Sequence, residues 1–220
     1  MKFSVITLFP DFIKNLEQYS IVGRAIRNKK IFLKTFNLRD FGLGSYHQVD
    51  DKPYGGGAGM LLRVDVALSA IKKARSKSKK SKVILLSAGG EKFTQSKVEE
   101  YSQLDELIIL CAHYEGHDAR IEDYVDEVVS IGDFVVSGGE IPALIVIDSV
   151  SRLIKGVLGK EESLLYESFS KIEGVNGRVL EFPQYTRPDE FERKRVPEIL
   201  LSGNHEKIEQ WKRSHLKKIV

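Results

Sequence analysis

The chain has 220 residues, which is enough for one well-buried core and a smaller appendage. Hydrophobic residues make up 42% of it and charged residues 30%, and only 6 residues are proline, so the composition excludes a disordered or fibrous protein. The 34 basic residues stand against 31 acidic ones, and the resulting net charge of +3 is too small to identify a nucleic-acid-binding protein by itself.

The first half of the chain alternates strand and helix patterns. Residues 2–9 predict a strand, and a helical pattern follows it. The later predicted elements are a strand at 31–38, a glycine-rich loop at 54–59, a helix at 64–75, a strand at 83–87, a helix at 94–101, a strand at 107–111, a helix at 118–124 and a short strand at 126–129. Runs such as VILLS and LIILC are apolar on both strand faces, which indicates an α/β fold with a mainly parallel sheet flanked by helices.

The second half begins with an apolar helix and ends with polar, less periodic sequence. Residues 140–154 predict a helix with Pro142 in its first turn, and its apolar majority indicates packing on more than one side. Residues 156–183 carry many polar residues with little periodicity and are predicted to be a long linker. A last amphipathic helix is expected at about 204–218.

Local charge is less even than the total. Residues 72–82 hold seven basic and no acidic residues, and residues 212–220 hold four more basic ones, whereas 99–127 are rich in acidic residues. The basic runs suit phosphate contact, but a solvated flexible loop explains the first run equally well.

The cysteine content and the N-terminal sequence argue against a disulfide-bonded, secreted or membrane-spanning protein. The single cysteine, Cys111, excludes an internal disulfide and a thiolate zinc site, and its place in LIILCA predicts a buried thiol. The N-terminus lacks a long apolar core with a cleavage site, and no stretch approaches 18 apolar residues. We therefore expect a cytoplasmic protein without membrane contact.

Two local motifs indicate a binding site only weakly. The glycine-rich segment PYGGGAGM at 53–60 is not followed by Lys-Ser or Lys-Thr, so it is not a nucleoside-triphosphate loop, but its glycines favour close approach of another group. His113 and His117 stand four residues apart, yet they follow a strand and have no third ligand nearby, so we expect no metal site. A G-x-S-x-G elbow for serine chemistry is absent from the sequence.

Three polar or glycine-rich segments are more informative. SAGG at 87–90, HYEGHD at 113–118 and SIGDFVVSGGE at 130–140 each follow a predicted strand. Ligands of open α/β sheets bind outside the carboxyl ends of the strands, so we expect the three loops to converge on one pocket. The alternative is that the glycines only cap the strands.

These segments belong to a set of seven that closely resembles a known enzyme family. The set comprises LFP at 8–10, VDDKPYGGGAGM at 49–60, HYEGHD at 113–118, SIGDFVVSGGE at 130–140, DSVSRLIKGVLG at 148–159, FPQYTRP at 182–188 and VPEILLSGNH at 196–205. In this order, the segments resemble the bacterial tRNA (guanine-N1)-methyltransferases that act at tRNA position 37, the TrmD family of the SPOUT superfamily. The resemblance covers nearly the whole chain.

The resemblance implies the SPOUT methyltransferase fold, in which the chain forms a deep trefoil knot, a rare exception to ordinary topology. It implies a catalytic and cofactor-binding domain at 1–160 with the knot at about 83–155, an interdomain linker at 161–183, and a small helical tRNA-binding C-terminal domain at 184–220. The knotted loops would bind S-adenosylmethionine through Leu85, Leu86, Ser87, Ala112, Tyr114, Glu115, Gly116, Ser130, Ile131, Gly132, Phe134, Val136, Gly138 and Gly139. Ala112 stands where the family usually has glycine, and Leu85 where some members have tyrosine.

The chemistry of guanine N1 demands two functional groups. The neutral base carries a proton on N1, so a general base is required, and the negative charge that spreads to O6 calls for a fixed cation or donor. The resemblance places Arg152 near O6, where a guanidinium offers a permanent charge and a rigid fork of donors. A structural salt bridge is the alternative role for Arg152.

The family's catalytic aspartate corresponds to Glu167 in the segment YESFS, and this is the most consequential departure from the family pattern. Glutamate keeps the carboxylate but moves its oxygens by on the order of 1 Å, and misplacement of that size can cost about 100-fold in rate. We expect Glu167 to serve as the base, because the long segment that carries it can readjust.

The family works as a homodimer in which each active site borrows the linker and C-terminal domain of the neighbouring subunit. The strongly apolar helix at 140–154 agrees with such an interface. The residues implied to contact the anticodon arm of tRNA or to lie near the target base are Asp50, Gly57, Gly59, Tyr185, Arg187, Asn204, His205, Lys212 and Arg213. Tyr185 and Arg187 could instead cap the second domain.

Further expectations follow from the resemblance. Some family members require Mg²⁺, which leaves magnesium dependence open here, and the sequence shows no metal-ligand cluster. The chain stops soon after the helix that begins at Asn204, so a weaker grip on tRNA than in longer relatives is expected. The alternatives are another SPOUT methyltransferase, acting on ribose 2′-oxygens, and an RNA-binding homologue with impaired catalysis.

Overall fold

The computed structural model describes residues 1–158, 167–172 and 177–218. The chain divides into two compact units, Met1–Gly159 and Lys160–Val220. Within the described residues, no helix is long and apolar enough to cross a membrane.

The first unit contains seven strands and five α-helices among its described residues. The strands are β1 (Lys2–Thr7), β2 (Phe32–Asn37), β3 (Asp50–Asp51), β4 (Leu61–Leu62), β5 (Ser81–Lys92), β6 (Glu106–Cys111) and β7 (Glu127–Ser130). The helices are α1 (Pro10–Lys14), α2 (Ser20–Arg27), α3 (Val64–Ala74), α4 (Gln95–Ser102) and α5 (Glu140–Arg152). Short 3-10 helices occupy Asn15–Gln18, Leu38–Phe41 and Ala119–Tyr124.

Five of these strands form the central sheet in the order β2-β1-β6-β5-β7, and every neighbouring pair in it is parallel. The predicted α/β fold with a mainly parallel sheet is therefore confirmed. All six residues of β6 are buried because this strand lies in the middle of the sheet with helices on both faces. The separate strands β3 and β4 pair antiparallel beside the glycine-rich loop.

Alternate residues of the strands divide the core into two layers, one on each face of the sheet. Phe3, Ile84 and Ile109 pack with α2, α4 and α5 on one face. Leu85 and Ile108 pack with α3 on the other face. Each fully buried aliphatic side chain of this kind would cost about 2 to 5 kcal/mol if truncated to alanine.

The edge strand β7 and its neighbour β5 are tied to α4 by a partly buried carboxylate. Glu127, on β7, accepts hydrogen bonds from Lys97 Nζ at 2.7 Å and from the Tyr101 hydroxyl at 2.6 Å, and it forms an ion pair with Lys82 of β5. Burial alone would raise the pKa of Glu127, but these donors outweigh burial and lower it to about 2. The same burial and the adjacent carboxylate raise the pKa of Tyr101.

Several elements differ from the sequence prediction. The helical pattern after residue 10 is divided between α1 and α2, because Tyr19 is extended and Ser20 has a positive φ of 58°. The strand predicted at 83–87 continues to Lys92 after an irregularity between Leu86 and Glu91. The segment predicted as a helix at 118–124 is a 3-10 helix.

Among its described residues, the second unit combines short strands with two helices. Its elements are β8 (Ser170–Lys171), β9 (Arg178–Leu180), β10 (Glu190–Phe191), β11 (Lys194–Arg195), α6 (Glu198–Leu201), α7 (His205–Ser214) and β12 (Lys217–Lys218). The strands β12, β9 and β8 form an antiparallel sheet, and β10 pairs with β11. The expected linker at 161–183 thus contributes two strands, although its residues 161–166 and 173–176 lie outside the described residues. The expected C-terminal helix ends at Ser214, because the chain then turns into β12.

Candidate functional site

A cavity of about 180 Å³ lies at the carboxyl edge of the parallel sheet, between the irregular stretch of β5 at 86–91 and the loops that follow β6 and β7. This volume is below the roughly 300 to 1,000 Å³ of whole ligand sites, so the cavity would enclose part of a larger ligand. Its lining comprises Leu86, Ser87, Ala88, Ala112, His113, Tyr114, Glu115, Gly116, His117, Val129, Ser130, Ile131, Phe134, Val135, Val136, Ser137, Gly138, Gly139 and Pro142. The three loops therefore meet as predicted.

The structure brings together nearly all the residues predicted to bind the cofactor. Only Leu85 and Gly132 of that set do not line the cavity. Leu85 is fully buried on the opposite face of the sheet, because successive strand residues point to opposite faces. Gly132 instead shapes the turn after β7, where its amide and carbonyl both bond to the Ser130 hydroxyl.

Sequence reasoning missed other lining residues. They are Ala88, His113, His117, Val129, Val135, Ser137 and Pro142. Most of them stand directly beside predicted members, so the loop positions alone could have included them. His113 was considered only as half of a metal pair.

Glycines let the main chain close around the cavity. A side chain at Gly139 would place its Cβ 2.6 Å from Cα of Cys111, and the Gly139 amide donates to the Ala112 carbonyl at 2.8 Å. A Cβ at Gly138 would lie 2.5 Å from both the Glu140 Oε2 and the His113 Nδ1 atoms. The start of α5 can thus approach the end of β6 only because both positions lack side chains.

His113 occupies a polar corner of the cavity. Its Nδ1 is buried without a hydrogen-bond partner among the described residues and lies 3.7 Å from Oε2 of Glu140. Glu140 is buried at the start of α5, where its other oxygen accepts a 2.7 Å hydrogen bond from the Thr7 hydroxyl. The ring of Phe9 meets the imidazole edge to face at 5.2 Å. The imidazole is therefore held by packing rather than by hydrogen bonds.

The glycine-rich loop docks against the loop after β6. The Glu115 amide donates to the Met60 carbonyl at 3.1 Å, and the Leu62 amide donates to the Gly116 carbonyl at 3.0 Å. A Cβ at Gly59 would lie 2.2 Å from Cγ of Glu115, so this glycine is required by close approach as the sequence suggested. Two predicted groups, the target-base loop and the cofactor loop, are therefore neighbours.

Tyr114 links these two loops electrostatically. Burial first, and Asp50 second, raise the pKa of its hydroxyl. The residue also has a φ of 64°, a left-handed conformation that is costly for an aromatic residue and is found most often at functional sites. Asp50 thus lies beside the cavity wall, near the position predicted for it.

The two histidines of HYEGHD face different carboxylates. His117 Nε2 lies 3.0 Å from Oε1 of Glu122, whereas His113 faces Glu140. In the described ranges, no group of three or more histidine, cysteine, aspartate or glutamate side chains is arranged to hold a metal ion.

The two predicted catalytic residues lie in different units. Arg152 is the last residue of α5, where a cation is favoured by the helix dipole. Glu167 begins a turn in the second unit, closed by a 3.0 Å hydrogen bond from the Ser170 amide to the Glu167 carbonyl. That turn leads into β8, so the carboxylate is carried by ordered structure.

Aromatic and basic side chains cluster around α7. Trp211 stacks on His215 with ring centroids 4.0 Å apart, and Tyr185 and Phe182 each lie 6.4 Å from Trp211. Lys212 Nζ lies 5.4 Å from the Phe182 ring centre. This cluster therefore contains Tyr185 and Lys212, two of the predicted tRNA contacts.

The other predicted tRNA contacts of the second unit lie around this cluster. Asn204 caps α7, accepting a 3.1 Å hydrogen bond from the Lys207 amide, and His205 begins the helix. Arg213 lies 3.7 Å from Glu209 in the last turn of α7, and Arg187 lies in the exposed segment before β10. Asn204 therefore has a structural role whatever else it contacts.

A parallel sheet with glycine-walled loops at its carboxyl edge is typical of α/β proteins that bind a small ligand at that edge. Comparison with known families then identifies which one. The family model described as tRNA (Guanine-1)-methyltransferase TrmD matches residues 1–219, and the chain belongs to this family.

Individual relatives agree with this assignment. The tRNA (guanine-N(1)-)-methyltransferase of Clostridium beijerinckii is 49% identical over 213 residues, which cover 97% of this chain and 86% of the relative. The protein of the same name from Latilactobacillus sakei is 46% identical over 96% of this chain and 84% of its own length. That from Clostridium acetobutylicum is 44% identical over 100% of this chain and 88% of its own length.

Proposed function

We propose that this protein transfers a methyl group from S-adenosylmethionine to N1 of guanosine at position 37 of tRNA, in the cytoplasm. Family membership and the relatives' names support the reaction. The structural observation that carries the proposal is the cavity that the irregular stretch of β5 and the loops after β6 and β7 form from the predicted cofactor residues.

The residues of the cavity fit the proposed methyl donor. Gly138 and Gly139 leave room for main-chain contact, and apolar walls from Leu86, Ile131 and Val136 suit an adenine ring. Glu115 and the Ser87 hydroxyl provide polar groups for the ribose and the amino-acid end. S-adenosylmethionine, when bound there, supplies a methyl group activated by its positively charged sulfur.

Glu167 acts as the general base in this proposal. Its carboxylate takes the proton from guanine N1 as the N–H bond breaks, which leaves the electron pair on N1 to form the bond to the methyl carbon. The turn at 167–170 supports this role because it fixes the main chain that carries the carboxylate.

Arg152 stabilises the charge that develops on the base. As N1 loses its proton, negative charge spreads to O6, and a guanidinium donating to O6 lowers the energy of that state. Arg152 lies about 15 Å along α5 from the cavity residue Pro142, so this role depends on the active site that is proposed below to be shared between subunits.

We further propose a deep trefoil knot at about 83–155 and a homodimer whose active site is shared between subunits. The helix α5 supports the dimer because it buries Val146 and Val150 in the core while Ile141 and Ile145 remain 50% and 43% exposed. The neighbouring Val135 is 87% exposed. A partner that covers this apolar surface would remove it from water.

The tRNA anticodon arm is proposed to contact the second unit. Aromatic rings such as Tyr185 can stack on unpaired bases, while Lys212 and Arg213 lie on α7 where they can meet phosphates. Asp50 and the loop containing Gly57 and Gly59 lie next to the cavity and are proposed to border the target base.

A methylation assay with unmodified tRNA transcripts tests the proposal. We expect methylation of transcripts with guanosine at position 37 and none with adenosine there, with and without added Mg²⁺. Transcripts that differ in the nucleotide before position 37 show which neighbouring nucleotide the enzyme requires. Methylation of a ribose 2′-oxygen would indicate the other SPOUT reaction, and cofactor binding without any methyl transfer would indicate a non-catalytic homologue.

Single-turnover rates test the base. Glu167→Gln should lower the rate by about 100-fold or more, because general-base catalysis contributes about 10² to 10⁴. Glu167→Asp tests whether the position tolerates the shorter side chain that the family pattern has. An unchanged rate in Glu167→Gln would remove this residue from the mechanism.

The proposed dimer has an independent test. Ile141→Glu combined with Ile145→Glu should yield monomers in sedimentation velocity and abolish methylation, whereas Lys14→Glu combined with Lys29→Glu, at exposed positions outside α5, serves as the control. Full activity from a monomeric double variant would exclude a shared active site.

A further inference from the structure

A set of cations lies far from the cofactor cavity in the first unit. The residues Lys72, Lys73, Arg75, Lys77, Lys79 and Lys80, here called the basic segment, are all exposed. Within the described part of the chain, none of the six has an acidic partner within 4.0 Å, although many other surface cations do. Their charges are therefore available to an external anion.

The backbone of the basic segment is fixed by its serines. Ser78 Oγ donates to Oδ2 of Asp105 at 2.8 Å and accepts from the Lys80 amide at 3.2 Å. Ser81 Oγ donates to the Ser78 carbonyl at 3.2 Å, and the Asp105 amide donates to the Lys80 carbonyl at 2.9 Å. Ser78 and Ser81 thus bond to the protein while the lysines of the segment are exposed to water, so the hydrogen bonds hold the lysine side chains on the surface.

Nearby acidic groups do not neutralise it. Asp105 is engaged by the Ser78 hydroxyl, and Glu106 is buried against Lys2 at 2.6 Å and the Ser4 hydroxyl at 2.7 Å. Lys72 and Lys73 also lie in the last turn of α3, where the helix dipole favours cations.

The position of the basic segment indicates a long ligand. It precedes Ser81, at the amino end of β5, whereas the cavity begins at Leu86 near the other edge of the sheet. Six strand residues separate the two by about 17 Å. The helix α3, about 16 Å long, spans the same gap, from Val64 beside the cavity loop to the segment.

We propose that the basic segment is a second RNA-contact surface that holds phosphates of a tRNA stem outside the anticodon loop. A small anion could meet only one or two of the six cations, whereas a nucleic acid presents a phosphate every few ångströms and can meet several together. The inference rests on the proposed function, because an RNA whose base enters the cavity is the polyanion that would reach this surface.

The test compares two charge-matched triple variants of the full chain. The first combines Lys77→Gln, Lys79→Gln and Lys80→Gln. The control combines Lys14→Gln, Lys29→Gln and Lys34→Gln, which are exposed and lie in α1 or at β2, the opposite edge of the sheet. Binding of an unmodified full-length tRNA transcript is measured between 50 and 200 mM salt.

The slope of log Kd against log salt should fall by about 2.7 in the basic-segment variant, because each of the three lost phosphate contacts removes about 0.9. Wild-type affinity would then decline about 40-fold more than the variant's across this range. The control triple should keep the wild-type slope, and replacing the same three lysines of the segment by arginine should restore it. Single-turnover methylation at saturating tRNA should be unchanged.

An unaltered slope in the basic-segment variant, or an equal loss in the control triple, would overturn the proposal. Because binding is measured without methyl transfer, a wild-type protein that binds tRNA but leaves guanosine unmethylated would overturn the proposed function and leave this inference standing.

Discussion

Replacing Glu127 by glutamine should remove a charge that holds β5, β7 and α4 together. The side chain is only 17% exposed, and its ion pairs and hydrogen bonds lower its pKa from 4.5 to about 2. A shift of about 2.5 units corresponds to about 3 kcal/mol, and we take about 2 to 3 kcal/mol after allowance for partial solvent screening. Glutamine preserves the shape but leaves Lys82 and Lys97 without their shared anion.

The stabilisation by Glu127 should depend on pH in a definite direction. The folded-state pKa of Glu127 lies below the unfolded value, so its stabilisation is fully present above about pH 4.5 and is lost as the pH falls toward about 2. Urea unfolding should therefore show the wild type about 2 to 3 kcal/mol more stable than Glu127→Gln at pH 7. The difference should shrink progressively between pH 4.5 and pH 2.

Glu100→Gln is the matched control, because Glu100 pairs with the same Lys82 but is 50% exposed. An exposed pair of this kind is worth about 0 to 1 kcal/mol. Equal losses in the two variants, or a Glu127 effect that stays constant down to pH 2, would refute the electrostatic explanation. Since β7 leads directly into the cavity loop at 130–139, Glu127→Gln should also weaken cofactor binding.

Three further predictions concern single positions. Gly138→Ala should weaken cofactor binding by about 10-fold or more in calorimetry, because overpacking costs about 1 to 3 kcal/mol. Gly89→Ala is the control, because a Cβ there meets nothing within 4 Å and should leave the affinity unchanged. Equal cofactor affinities of the two variants would contradict this prediction. Asn204→Ala removes the side-chain cap of α7 and should destabilise the second unit by about 0.5 to 2 kcal/mol in thermal unfolding. Asn204→Asp should retain this cap and the stability. An alanine variant as stable as the wild type would show that the cap does not stabilise the unit. Burial raises the pKa of the Cys111 thiol. Native protein should therefore resist alkylation by iodoacetamide at pH 8, and Cys111 should react only after unfolding in urea. Rapid alkylation of the native protein would contradict the buried position.

Strong periodicity made most of the first unit predictable. The run LIILC could only be a strand buried on both faces, and it is the central strand of the parallel sheet. The break between α1 and α2 was not predictable in this way, because the apolar spacing continues across Ser20 while the backbone adopts a positive φ. The strand at Lys217–Lys218 forms only by pairing with Arg178–Leu180, a long-range contact that local sequence does not encode.

The candidate site followed from topology more than from individual residues. Glycine-rich segments after parallel strands must meet at one edge of the sheet, and the structure places the cavity there. The contact between His113 and Glu140 depends on how closely α5 approaches β6 at Gly139, and spacing in the sequence carries no information about that distance.

The two departures from the family pattern have different physical consequences. Ala112 stands on the cavity wall where the family usually has glycine. Its carbonyl accepts the hydrogen bond from the Gly139 amide, and the methyl group of alanine does not alter that hydrogen bond. Glu167 is the proposed general base and stands where the resemblance leads us to expect aspartate; a general base acts through its side-chain oxygens, which the extra methylene displaces. A main-chain site tolerates side-chain exchange, whereas a catalytic carboxylate does not. Any difference in rate between this enzyme and its relatives should therefore follow the identity of residue 167 rather than that of residue 112.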